Sequence, residues 1–211
     1  TYTVNEEDRA RINLYKNNII HFLIPVSFIA NILLAYNDDN LSEEFIEKKY
    51  YELLNIFSKE FIYSERATNT DAIIRETLSF LDSEKLITTS SYIKISDDQQ
   101  KNCLFFARLT QEYFETYSIV TRALKRNLSM TTKELIHEIR TKGNSMYQEK
   151  EIILPESLSM PAYNNAIKKF ISSNALSESP IDHKNSDLEV INLEYIKILN
   201  SLLKEYLKAL H

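Results

Sequence analysis

The chain has 211 residues, 44% of them hydrophobic, with a net charge of -5, one glycine, one cysteine and no tryptophan. That length suits one large domain or two small ones. A chain nearly without glycine is not built from tight turns and phosphate-cradling loops, and it holds no GxGxxG or GxxxxGK[ST] motif. The lone Cys103 excludes an internal disulfide and any Cys-rich metal site, while the negative charge argues against broad nucleic-acid binding.

The first segment, residues 6–36, has a charged lead-in and then the uncharged run NNIIHFLIPVSFIANILLAYN at 17–37. Ile20, Leu23 and Ile24 recur at helical spacing, after which Phe28, Ile29, Ile32 and Leu33 spread around the whole circumference. A helix apolar on all sides is buried in something. The run barely reaches the roughly 20 residues of a membrane span, and His21, Pro25, Ser27 and Asn31 interrupt it. It therefore reads as a buried or membrane-leaning helix or hairpin, with Pro25 marking a kink or a new first turn. Burying the His21 imidazole or Asn31 is costly without a hydrogen-bond partner, which predicts a specific polar counterpart, either in this chain or on another domain. The opening TYTVNEEDRAR does not have the pattern of a signal peptide.

Ser42 is read as the cap of a helix whose inner face is Phe45/Ile46, Tyr50, Leu53/Leu54, Phe57 and Phe61. Another helix starts near Asn69 with Ile73/Ile74, Thr77/Leu78 and Leu81 inward. LITTSSYIKIS then supplies two short strands around a Thr/Ser turn, with Ile87, Tyr92, Ile93 and Ile95 as strand residues. Residues 41–96 thus read as a first winged-helix-like unit. After the polar joint DDQQKN, a long helix is expected to about residue 126, on the spacing of Phe106, Leu109, Tyr113, Tyr117, Val120 and Leu124. Cys103, beside Leu104, Phe105 and Phe106, reads as an inert buried thiol.

Thr131 and Glu134 predict a capping box, and Gly143 stands where a C-terminal cap is expected. Ser159 or Met160 caps the next helix, with Pro161 in its first turn. A polar loop at 177–187 then leads to a last amphipathic helix over 188–210. ETLSFLDSEKL (76–86) and AIKKFISSNAL (166–176) echo one another, pairing Phe80 with Phe170, Leu81 with Ile171 and Leu86 with Leu176. The predicted fold is mainly α: two winged-helix-like units, each with a small β-hairpin, joined by a long central helix. The expected divisions are 1–40, 41–96 and 97–211.

Little chemistry is visible. No HExxH, HxxxxD or GxSxG is present. His137 reads as a structural helix residue, and the His183/Asp187 pair as part of a solvated loop. A DNA-reading helix needs cations for phosphates and base edges. Arg75 and Lys85 among four acids, or Lys168 and Lys169, are thin for that purpose.

YKNNIIHFLIPVSFIA (15–30) resembles the segment that follows the catalytic domain in the membrane-associated glycerol-3-phosphate acyltransferase family. Tyr15, Lys16, Asn17, Asn18, His21, Phe22, Pro25 and Ala30 carry the likeness. It continues over 115–140 in Glu115, Tyr117, Ile119, Val120, Ser129, Leu135 and Arg140, and over 154–176 in Pro161 and Tyr163. Ala162, Asn164 and Asn165 depart from that family's acidic and aromatic pattern. The resemblance implies the C-terminal auxiliary part of an enzyme acylating position 1 of glycerol 3-phosphate from acyl-CoA or acyl-carrier protein (acyl-ACP). The family's His-x4-Asp lies in the preceding domain, so no catalytic residue, metal or cofactor is expected here. The expected partners are the upstream acyltransferase domain, its substrates through that domain, and the cytoplasmic side of a membrane peripherally; no nucleic acid is expected. Tyr15, Lys16, Asn17, Asn18 and His21 become the candidate substrate or domain-docking residues. The readings from other classes are a non-enzymatic helical interaction module and a winged-helix regulator.

Overall fold

The apolar run at 17–37 enters a single helix, α1 (Glu6–Ala35), that continues through Pro25. The structure, a computed structural model, describes residues 6–37 (side chains from residue 19 on), 41–61, 69–124, 129–180 and 186–210. Neither the hairpin nor a new first turn at Pro25 occurs. Proline costs the helix one bond, to the carbonyl four residues back. That carbonyl belongs to His21, which is exposed, so water can reach it.

The next helices start where local capping places them. Ser42 accepts the Phe45 N–H at 3.2 Å to open α2 (Glu43–Ile56). Asn69 accepts the Ala72 N–H at 3.2 Å to open α3 (Thr70–Ser83). β1 (Ile87–Thr89) pairs antiparallel with β2 (Ile93–Ile95), and Leu41 bridges to Ile93 on the other edge. The expected long helix is interrupted: α4 (Gln100–Ala107) passes through a 3-10 turn at Arg108–Thr110 into α5 (Gln111–Ala123). β3 (Ser129–Thr131) leads through the predicted Thr131/Glu134 capping box into α6 (Thr132–Gln148). A second 3-10 turn, Pro155–Leu158, precedes α7 (Met160–Ser172). β4 (Leu176–Pro180), β5 (Ser186–Val190) and α8 (Leu193–Leu210) complete the order.

The last helix therefore starts later than expected, and the polar loop at 177–187 contributes to two strands instead. β5 lies between β3 and β4, both antiparallel to it. Only Leu188 of β5 is buried, so its backbone ladder rather than an apolar alternation holds it. Ile191, which falls inside the helix expected over 188–210, lies before α8 and is exposed. The molecule is thus mainly helical with small antiparallel sheets, and one order recurs: Leu41, α2, α3, β1, β2 and then β3, α6, α7, β4, β5. In both, the first strand position pairs with the last strand.

α1 is the axis of the core from Ile24 to Leu34. The Phe28 ring lies 5.8 Å from Phe57, which lies 4.9 Å from Phe114 and 5.0 Å from Tyr117. Phe114 continues to Tyr206 at 5.2 Å and Tyr117 to Phe170 at 6.2 Å, so one aromatic path joins α1, the end of α2, α5, α7 and α8. Tilted and edge-on ring pairs at these spacings add to the area they bury.

The counterpart demanded by Asn31 is the break between α4 and α5. Asn31 Nδ2 donates to the Ala107 carbonyl at 3.0 Å, to Thr110 Oγ1 at 3.3 Å and to the Ser27 carbonyl at 2.9 Å. Ser27 Oγ donates to the same Ala107 carbonyl at 3.3 Å and shares a 2.8 Å hydrogen bond with Thr110 Oγ1. The Ala107 carbonyl at the turn takes its donors from the Ser27 hydroxyl and the Asn31 amide out of water, while Asn31 Oδ1 has no hydrogen-bond partner among the described residues.

Glycine economy has a visible cost at three helix ends. Lys85, Lys150 and Asn174 occupy the left-handed region, with φ of 59°, 60° and 53°, where glycine is usual. Each closes a Schellman motif, with Leu86 N–H to Leu81 O, Glu151 N–H to Met146 O and Ala175 N–H to Phe170 O at 2.8–2.9 Å. These bonds correct the internal echo by one residue. Leu81 corresponds to Phe170, and both are fully buried, whereas Phe80 is 46% exposed. Gly143 is not a cap either: it is buried inside α6, where an added Cβ would lie 2.7 Å from Tyr163 Oη and 2.9 Å from Leu158 Cδ2.

Two outcomes follow for stability. Asn31→Leu leaves the Ala107 carbonyl and the Thr110 hydroxyl short of a donor, and urea titration should show a loss of about 2 kcal/mol. Gly143→Ala gains about 1 kcal/mol of helix propensity but meets the Tyr163 hydroxyl, so a net loss of about 1 kcal/mol is expected. Tyr163→Phe removes the nearer clash, and the double variant should recover most of that loss.

Candidate functional site

The first 13 residues of α1, 6–18, carry four of the five docking candidates. The side chains of Tyr15, Lys16, Asn17 and Asn18 lie outside the described residues, as do His183 and His211. His21 is exposed, its ring centroid 3.9 Å from that of Phe22. Phe22 is 74% and Ile19 53% exposed, while Ile20 between them is 4%. The helix thus changes character along its length. Over residues 19–22 one side meets the body through Ile20, while Ile19 and Phe22 present apolar surface to the outside. His137, on α6, is exposed as well. Cys103 is buried, and burial pushes its thiol up to about 11, which suits an unreactive side chain.

Beside Ile20 opens a cleft of roughly 430 Å³ whose walls include Glu60, Glu112, Tyr113, Glu156 and Asn165. Glu60 follows the end of α2, Glu112 stands in the first turn of α5, and Glu156 comes from the 3-10 turn before α7. Asn165 donates to Glu60 Oε2 at 3.1 Å. Burial pushes the Glu60 carboxyl up to about 7; its bonds with Asn165 and Tyr117 oppose the rise, and the Glu112 charge adds to it. Among the described residues no three His, Cys, Asp or Glu side chains gather to hold a metal ion.

A second carboxylate fixes the cleft wall from behind. Glu115 is fully buried and accepts the Ile153 N–H at 3.2 Å, the Leu154 N–H at 3.1 Å, the Ser157 hydroxyl at 2.6 Å and the Gln111 amide at 2.8 Å. Thr116 adds a 3.0 Å bond to the Ser157 carbonyl. One charge with four donors satisfies the condition for keeping a carboxylate out of water and anchors the turn that carries Glu156. Apolar spacing could not find these acids. The usable signal was the run of polar residues 115, 116 and 118 inside an otherwise core-facing helix.

The raised Glu60 value has a sign that stability can read. The folded state holds this proton more tightly than the unfolded chain, so the contribution is full below about 4.5 and is lost as pH rises toward about 7. Glu60→Gln keeps an oxygen for Asn165 and removes the titration. Its stability relative to the parent should climb through that window to a gain of roughly 1 to 3 kcal/mol, measured by chemical denaturation from pH 4 to 8.

The chain matches known proteins over most of its length. The family model for the glycerol-3-phosphate acyltransferase C-terminal region covers residues 1–179. A glycerol-3-phosphate acyltransferase of Shewanella amazonensis is 24% identical over 142 residues, which are 67% of this chain and 17% of that protein. Another, from Shewanella denitrificans, is 24% identical over 154 residues, 72% of this chain and 18% of the relative. The chain therefore spans less than a fifth of the length of these curated relatives. With a matching region that takes in α1, the cleft and the helix pairs α2–α3 and α6–α7, the chain belongs to the family of the glycerol-3-phosphate acyltransferase C-terminal region.

Proposed function

We propose that this chain is the auxiliary C-terminal region of a glycerol-3-phosphate 1-O-acyltransferase and braces a catalytic domain carried by the same polypeptide. That domain transfers an acyl group from acyl-CoA or acyl-ACP to glycerol 3-phosphate, and this region contributes support rather than a reacting group. The divisions 1–40, 41–96 and 97–211 then have distinct tasks. The first faces the partner domain, and the other two are winged-helix-like units used for packing. The assembly sits peripherally on the cytoplasmic side of the membrane. No helix among the described residues is long and apolar enough to cross one.

The observation that carries this reading is the split in α1. From Ile24 onward it is core, yet Ile19 and Phe22 leave large apolar surfaces outside, next to His21 and the Glu60 cleft. Covering a Phe side chain is worth about 1.5–3 kcal/mol, which gives such a surface a reason to meet another apolar one. Tyr15, Lys16, Asn17, Asn18 and His21 belong to the same half of the helix and supply polar groups for the contact. The cleft beside them suits a basic side chain from the partner domain.

The test uses the full-length polypeptide. Ile19→Ser/Phe22→Ser removes only exposed surface, so the thermal midpoint of this region should hold while acyl transfer to glycerol 3-phosphate falls about tenfold, the size of one lost apolar contact. Unchanged activity together with unchanged association of the two domains would sink the reading. A loss confined to vesicle co-sedimentation would reassign the helix end to lipid.

A further inference from the structure

A second cleft, of about 530 Å³, lies where the end of α5 meets α6 and the start of α8. Arg122 of α5, Lys142 of α6 and Lys197 of α8 line it, together with Asn200, Leu124 and Ile196. Three cations from three different elements on one cleft stand out in a chain whose net charge is -5. Among the described residues no carboxylate lines the cleft. Glu151 takes the Arg122 guanidinium in an ion pair, and the Arg122 hydrogen bond is the main reason its carboxyl is held below the usual range, with a smaller contribution from the Lys142 charge. That one acid offsets one of the three charges. Among the described residues Lys142 and Lys197 make no ion pair.

The remaining wall has the same preference. Asn200 accepts the Thr121 hydroxyl at 3.3 Å through Oδ1, which leaves its amide hydrogens to donate. Ile196 and Lys197 stand near the N-terminus of an 18-residue helix, the end that favours negative charge. The carbonyl end of α5 borders the same cleft, and Arg122 in its last turn offsets that partial negative charge. Leu124 and Ile196 are apolar and buried, so the cleft pairs a cationic rim with a hydrocarbon floor.

We infer that this cleft binds a phosphate ester whose alcohol carries an apolar part, with Arg122, Lys142 and Lys197 around the phosphate and Leu124 and Ile196 beneath the hydrocarbon. A guanidinium fork, two ammonium groups and an amide match the several oxygens of a phosphate better than the two of a carboxylate. The same chemistry is offered by a phospholipid headgroup at a bilayer and by a free phosphate ester in solution. The inference does not rest on the docking role of α1, none of whose described residues lines this cleft.

The test compares the chain with Lys142→Ser/Lys197→Ser, a pair outside the core whose fold is checked by its melting temperature. Flotation with phosphatidylcholine vesicles, with and without phosphatidic acid, probes the bilayer source. Amide-shift titration with inorganic phosphate and with a short-chain alkyl phosphate probes the soluble one. Binding of either kind that is salt-sensitive and about tenfold weaker in the double variant is the expected result. Flotation without a response to the soluble probes assigns the lipid headgroup, and the reverse assigns the free ester. If neither probe binds, or if the double variant binds as well as the parent, the inference is overturned.

Discussion

The fold depends on where a buried helix can place two polar side chains. α1 is apolar on nearly every side from Ile24 to Leu34, and hydrophobic burial alone would leave its rotation about its own axis poorly specified. Ser27 and Asn31 remove that freedom, because each must find hydrogen-bond partners in a region without water. The α4–α5 break supplies them at Ala107 and Thr110, and a rotation of α1 by even one residue would orphan both sides. Once Ser27 is fixed toward the break, Phe22, five residues earlier, comes out about 140° further round the helix. The exposed end of α1 is thus a consequence of the buried clamp.

The same clamp explains why a helix break is tolerated in the middle of the core. A 3-10 turn at Arg108–Thr110 redirects the chain so that α5 runs through the protein with almost every residue buried, polar ones included. Such a helix is stable only if its buried acids and hydroxyls find partners, and Glu115, Thr116 and Thr121 do. Glu115 gathers Gln111, two backbone N–H groups and Ser157, and Thr116 reaches the Ser157 carbonyl. Specificity here comes from polar pairing within an aromatic frame, which fits a chain rich in tyrosine and phenylalanine and without tryptophan.

What could be read in the sequence was local. Ser42, Asn69 and Thr131 cap helices through contacts three residues away, so the residues alone declare them. Cys103 declared its burial through its neighbours. The break at Arg108–Thr110 was invisible, since the apolar spacing of Leu109, Tyr113 and Tyr117 runs through it and its cause lies almost 80 residues away in Asn31. The second unit's hairpin was expected but could not be placed, for another reason: the ladder of β4 and β5 is made by backbone groups, and the side chains are mostly polar. Gly143 misled because a local rule for helix ends was applied where a tertiary approach by Tyr163 sets the requirement. Positions that needed positive φ were filled by Lys85, Lys150 and Asn174 instead. In the candidate site the sequence drew attention to α1 and His21 but not to the Glu60 cleft, whose acids come from three separated segments.

Charge is distributed along α5 in a way that separates structural need from surplus. Glu112 stands near its N-terminus and Arg122 near its C-terminus, each where the helix dipole favours its sign. The dipole accounts for those two residues but not for their company. Glu60 and Glu156 arrive from other segments at the acidic end, and Lys142 and Lys197 from other helices at the basic end. Burial, with a smaller push from the Glu112 charge, makes folding favour the protonated form of Glu60 at mild acidity. Lys142 and Lys197 likewise gather positive charge where one arginine already complements the helix. Charges assembled beyond what the helix ends require are best matched by groups from outside: a cation at the end of α5 beside α1, and an anion at the end beside α8.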